Sequence, residues 1–183
     1  MASHQAGLLR AAFRDVHGPS LHGFALLLTL GDRAEAARLA SQVMAEGTRR
    51  AATLRHPERA AAWLRHRVVR SFRDRRRPGV TREEKLVALG AIGVDEAAFE
   101  ALSALSPADR AALIAGEIER LAPLDLELVL EASPATVRRR VSRARLHFLE
   151  LWMMFAPPVA EPTGPLALQI SGIAGRTLSS ASW

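Results

Sequence analysis

The stretch that decides the reading of this chain is Leu121–Trp152, LAPLDLELVLEASPATVRRRVSRARLHFLELW. A short apolar run is followed by a break at Glu131-Ala132-Ser133 and then by a long basic segment. Val137, Val141, Ala144, Phe148 and Leu151 recur at alternating steps of four and three, which places them on one face of a helix. Arg138, Arg139, Ser142, Arg143 and Arg145 fall largely off that face and are open to a partner. Ser133 before Pro134 is a good helix start. The hydroxyl can accept from a first-turn N–H, and proline at the first helical position gives up no hydrogen bond that the helix needs. A short helix, a tight turn and a second helix loaded with arginine read as a helix-turn-helix.

The rest of the composition agrees with a globular chain that meets a polyanion. Hydrophobic residues make up 49% and charged residues 24% of 183 residues, enough for one ordinary domain or two small ones. The net charge is +6, the isoelectric point is near 11.3, and Lys85 is the single lysine among the cations. Two causes give such a bias: a GC-rich coding sequence, or a partner whose phosphates and guanine edges suit the arginine fork. With no cysteine, disulfides, thiolate metal sites and cysteine nucleophiles are excluded, which suits the cytoplasm. The apolar run Phe24–Leu30 is too short to span a bilayer and no cleavage pattern follows it, so a soluble, cytoplasmic protein with no membrane contact is expected.

Alanine, leucine and arginine dominate from Ala6 to Trp152 and no alternating strand pattern persists, which predicts an all-α fold. A first helix is expected over Gly7–His17, ending at Gly18-Pro19, and a second over Ser20–Leu30 with Phe24, Leu27 and Leu28 buried. Gly31 closes that helix and Asp32 caps a third, which turns Ala36, Leu39, Ala40 and Val43 inward and runs on towards Arg50. After the turn at His56-Pro57-Glu58, a basic helix is expected over Ala60–Arg77. Residues 78–95 read as a linker in which Thr81-Arg82-Glu83-Glu84 can cap only a short helix. A second helical unit starts near Glu96, and Ser106-Pro107 opens a helix over Ala108–Leu121 with Leu113, Ile114 and Ile118 as its apolar face. The expected organisation is therefore a helical domain over 7–77, a linker over 78–95, a helix-turn-helix domain over 96–152 and a flexible tail over 153–183. Leu166, Leu168, Ile170, Ile173 and Trp183 give that tail enough apolar surface to dock.

Particular wording adds a family resemblance. Leu30-Gly31-Asp32-Arg33-Ala34-Glu35-Ala36, Ala62-Trp63-Leu64 and Asp74-Arg75-Arg76-Arg77 resemble the N-terminal domain of bacterial RNA polymerase sigma factors of the extracytoplasmic-function class. Leu102-Ser103-Ala104-Leu105-Ser106-Pro107-Ala108-Asp109-Arg110 and the run Thr136–Arg145 resemble the C-terminal domain of the same class, in the right order and spacing. The resemblance covers about Gly7 to Trp152. It implies an alternative sigma factor that recruits RNA polymerase core to specific promoters and does no covalent chemistry itself. Promoter DNA, core polymerase and an anti-sigma factor are the implied partners, with no cofactor and no metal.

The resemblance also assigns roles. The upstream promoter element would meet Pro134, Ala135, Thr136, Arg138, Arg139 and Ser142 at base edges, with Arg140, Arg143 and Arg145 on phosphates. The plainer reading of that helix is a solvated basic face. The downstream element would meet Arg55, His56, Arg59, Arg65, Arg70 and Arg73, with Trp63 as core packing. The polymerase clamp would meet Arg38, Leu39, Ser41, Gln42 and Val43. Three positions depart from the family pattern. Glu131 stands where glycine is usual, Glu127 where a small residue is usual, and Arg38 where an acid is usual, which inverts the local charge.

An enzyme is not expected. His4, His17, His22, His56, His66 and His147 are scattered, the carboxylates Glu83-Glu84 and Asp95-Glu96 lie in or beside the linker, and there is no glycine-rich phosphate loop. Two rivals remain: a sigma-like regulator that binds an anti-sigma partner or DNA without recruiting polymerase, and a plain helix-turn-helix repressor.

Overall fold

Six of the eight α-helices among the described residues start where the chain supplies a side-chain cap or a proline. In the computed structural model, which describes residues 2–51, 56–72 and 80–155, the elements are α1 (Ala2–Leu28), α2 (Arg33–Arg50), a short 3₁₀ turn (Pro57–Arg59), α3 (Ala60–Ser71), α4 (Arg82–Gly90), α5 (Glu96–Ala104), α6 (Pro107–Leu113), a π-helical turn (Ile114–Ile118), α7 (Pro123–Leu130) and α8 (Pro134–Phe155). The fold is all-α, with no strand among the described residues. Asp32 caps α2 by accepting from the Glu35 N–H at 2.9 Å, and Asp95 caps α5 by accepting from the Ala98 N–H at 2.7 Å. Thr81 and Glu84 form a reciprocal capping box that makes α4 a real helix inside the expected linker. Pro107, Pro123 and Pro134 each stand first in their helix.

Four boundaries differ from expectation. α1 runs unbroken through Pro19, where two helices were expected. Proline removes one backbone bond, and the Ser20 hydroxyl donates to the His17 carbonyl at 3.3 Å beside it, while burial of Leu21, Phe24, Ala25 and Leu28 holds the helix together. α3 ends at Ser71, with Phe72 extended, and residues 73–77 of the expected helix lie outside the described residues. The helix after Ser106 widens into the π turn before reaching Leu121. α8 continues past Trp152 to Phe155.

Close packing against α8 fixes the residue type inside this turn. A Cβ at Gly116 would lie 2.9 and 3.1 Å from the two methyl carbons of Val141, so only glycine lets α8 approach this closely. Gly31, at φ 82°, is fixed in the same way: a Cβ there would lie 2.4 Å from the Lys85 carbonyl oxygen.

One apolar cluster runs through all of this, from Leu21, Phe24 and Leu28 through Leu39, Leu64 and Val68 to Leu102, Leu113, Ile114, Val129, Val137 and Phe148. Each such side chain contributes about 1.5–3 kcal/mol on leaving water. α1 packs on α2, and both pack on α3; α5 and α6 pack on α8; α3 lies along α7. The fully buried Arg110 joins these groups. Its guanidinium donates to the Leu102 carbonyl at 3.0 Å, the Leu105 carbonyl at 3.0 Å and the Leu28 carbonyl at 2.8 Å. These oxygens lie at the C-terminal ends of α5 and α1, where helix dipoles are negative and favour a cation.

Candidate nucleic-acid interface

The chain turns from α7 into α8 through Glu131, which takes the left-handed conformation (φ 47°, ψ 49°) that glycine adopts at least cost. The Ala132 N–H reaches back to the Glu127 carbonyl at 3.2 Å and closes the end of α7. α8 then starts at Pro134. The Ser133 hydroxyl meets the Thr136 hydroxyl at 3.0 Å, where a bond to a first-turn N–H had been expected.

From there α8 is two-faced. Val137, Ala144 and Phe148 are buried, and Val141, Leu151 and Trp152 pack partly against the core. Pro134, Ala135, Arg138, Arg139, Ser142, Arg143 and Arg145 are exposed, whereas Thr136 and Arg140 are half-buried. Arg138, Arg139 and Arg145 make no hydrogen bond or ion pair among the described residues. Arg143 differs, because its guanidinium donates to Asp109 at the start of α6. Burial raises the Asp109 carboxyl, but the Arg143 bond and the Ser106 hydroxyl outweigh it and hold the group below its usual range. The outward face of α8 thus carries unengaged arginines on a helix fixed from beneath, a geometry that suits phosphates and guanine edges.

The cations assigned to downstream DNA are arranged differently. Arg55 and Arg73 lie outside the described residues. His56 is exposed and its Nδ1 stands 3.0 Å from Glu58. Arg59 Nε donates to Asp125 at 2.9 Å. Arg70 donates to Glu131 at 2.8 Å, and His66 Nε2 stands 3.6 Å from the same carboxylate. Arg65 is 5% exposed, under the ring of Phe24, and its guanidinium grips both oxygens of Glu119. In this arrangement Arg65 is a core residue, not a surface contact. Burial pushes the Glu119 carboxyl up although Arg65 pulls it down, whereas the Arg70 bond holds the exposed Glu131 carboxyl below its usual range. The signal missed in the sequence was the acids at 119, 125 and 131, whose separate turns share no helical period.

The residues assigned to polymerase divide in two. Leu39 and Val43 are 0% and 1% exposed, so they build the core and cannot face a partner. Periodicity had already turned both inward, and the inherited role conflicted with it. Arg38, Ser41 and Gln42 are exposed. Arg38 is held by Glu35 through two bonds of 2.8 and 2.6 Å and by the side-chain oxygen Oε1 of Gln42 at 3.0 Å, and the Glu35 bond raises its pKa. Beside Ser41 an open groove of about 1210 Å³ separates α1 and α2, lined by Arg10, Arg14, Pro19, Ala40, Met44 and Arg49 among others.

Among the described residues no three His, Asp or Glu side chains stand together as a metal site, and no helix is long and apolar enough to cross a membrane. Comparisons with family models, with characterised proteins and with solved structures return no match to this chain.

Proposed function

We propose that this chain is an alternative sigma factor of the extracytoplasmic-function class. On this reading it is a non-enzymatic, cytoplasmic protein of two helical domains, and α7 and α8 form a helix-turn-helix. α8 reads the upstream promoter element, and the chain recruits RNA polymerase core to that promoter. The observation that carries the reading is the outward face of α8. Arg138, Arg139 and Arg145 are exposed and unengaged among the described residues, on a helix whose opposite face is anchored by Val137, Ala144 and Phe148. The resemblance of both halves to the family supports it. The deciding experiment mixes the folded protein with core polymerase on a gel-filtration column. Co-elution, and promoter-dependent transcription by the complex, is the expected result; a folded protein that elutes alone removes the proposal.

Arg38 favours a second reading, a sigma-like regulator that binds an anti-sigma partner or DNA without recruiting polymerase. Its charge is inverted relative to the family, although the Glu35 carboxylate beside it offsets that inversion. Arg38→Asp gives polymerase binding to a protein that lacks it if the cation is what blocks docking. No gain counts against this reading. A plain repressor, by contrast, shifts duplex promoter DNA alone with a steep salt dependence.

A further inference from the structure

The left-handed Glu131 has no use in the promoter reading, and a glycine would take its backbone conformation at lower cost. Its carboxylate instead meets Arg70 and His66 of α3, across 61 residues of sequence in the case of Arg70. An exposed ion pair adds little to stability. Stability therefore does not account for an acid at this turn.

Two further acids repeat the pattern. Glu119, at the end of the π turn and followed by the left-handed Arg120 (φ 52°), takes Arg65. Asp125, in the first turn of α7, takes Arg59, which also donates to the Leu124 carbonyl. Three cations on or beside α3 thus meet three carboxylates supplied by three different turns of the C-terminal helices. Carboxylate oxygens satisfy guanidinium forks in the same way as phosphate oxygens do.

We propose that Asp125 and Glu131 are an internal substitute for DNA phosphates, holding the accessible cations Arg59 and Arg70 shut against α7 until nucleic acid displaces them, with Glu119 as the buried anchor of the closed form. The inference rests on the reading above only in taking DNA as the ligand of that face. The outer pairs, Arg59–Asp125 and Arg70–Glu131, are solvent-accessible and exchange with phosphates as salt or DNA competes. The inner pair, Arg65–Glu119, is buried and keeps the closed form in register.

The test uses the full chain, whose lack of cysteine allows a labelled pair at Ala45→Cys and Leu146→Cys, both exposed positions. Energy transfer between the labels reads opening, and anisotropy of a fluorescent forked promoter-length DNA reads binding. Asp125→Asn with Glu131→Gln removes the two outer carboxylates and leaves the buried pair intact. Glu83→Gln with Glu150→Gln removes the same charge elsewhere. The expected result is binding about tenfold tighter for the first double variant than for the second, with lower transfer efficiency in its DNA complex. Equal affinities for the two variants overturn the clasp while leaving DNA binding intact. If no variant binds the fork at any salt, although the labels report opening, the DNA reading fails and the clasp with it. Glu131→Gly guards against misfolding. It removes one carboxylate and relieves the left-handed residue, so it is expected to be at least as stable as the parent and to bind DNA more tightly; unchanged binding counts against the clasp.

Discussion

The guanidinium of Arg110 donates to the carbonyl of Leu28 at 2.8 Å across 82 residues of sequence, and this bond ties the end of α1 to the middle of α6. The cation is 2% exposed and serves three carbonyls at once. Arg110→Ala leaves them without this donor at the ends of two helices. The expected loss is about 3 kcal/mol or more of unfolding free energy. Urea denaturation checks it, and a loss below about 1 kcal/mol would show that water replaces the side chain at little cost.

Gly116 and Val141 are a matched pair. Gly116→Ala is expected to destabilise by about 1–3 kcal/mol, because the new methyl would fall within 2.9 Å of Val141 Cγ1. In the Val141→Ala background the cost of the same change should shrink. A double-mutant cycle with no coupling would mean that the π turn moves aside freely.

On α8 the arginines should not be equivalent. Arg139→Ala is expected to lower promoter affinity by about 1–3 kcal/mol if the side chain pairs with guanine. Arg143→Ala should cost less in binding, since its partner in the free protein is Asp109. Fluorescence titrations over a range of salt separate the two. Equal losses would place both on phosphates.

Acid should weaken the fold through its histidines. Burial lowers the pKa of His17, His22 and His66, so folding favours the neutral rings. Their contribution is complete above the ordinary imidazole value near pH 6.5 and is lost as pH falls through the lowered native values. Thermal melts at pH 7.5 and pH 5.5 should show a lower midpoint in acid, and His22→Gln should reduce that difference. An unchanged difference would put the acid sensitivity elsewhere.

Arg38→Asp also has a structural cost that sequence comparison hides. It would replace a bidentate partner of Glu35, which is 8% exposed, with a second acid. A lower melting temperature is expected for that variant, with Arg38→Gln falling in between. Identical melts would mean that Glu35 finds other donors.

The helical class, most caps and the inward face of α8 were legible in the residues. Asp32, Thr81, Ser106 and Pro134 act over one turn of helix, and Val137, Ala144 and Phe148 follow a fixed period. Local chemistry decides such features, so neighbours along the chain carry the information. The continuity of α1 through Pro19 was not legible, because a buried apolar stripe outweighed one lost hydrogen bond. Nor was the burial of Arg65 and Arg110. An arginine in sequence signals a surface, and only the carbonyls and the carboxylate brought to it by distant segments make an interior place affordable. In the same way the family resemblance marked Glu131 as a departure at a turn, and the tertiary structure placed it against Arg70. Ion pairs between segments follow no period, so folding in three dimensions had to decide which cations stand open on α8 and which are closed on α3.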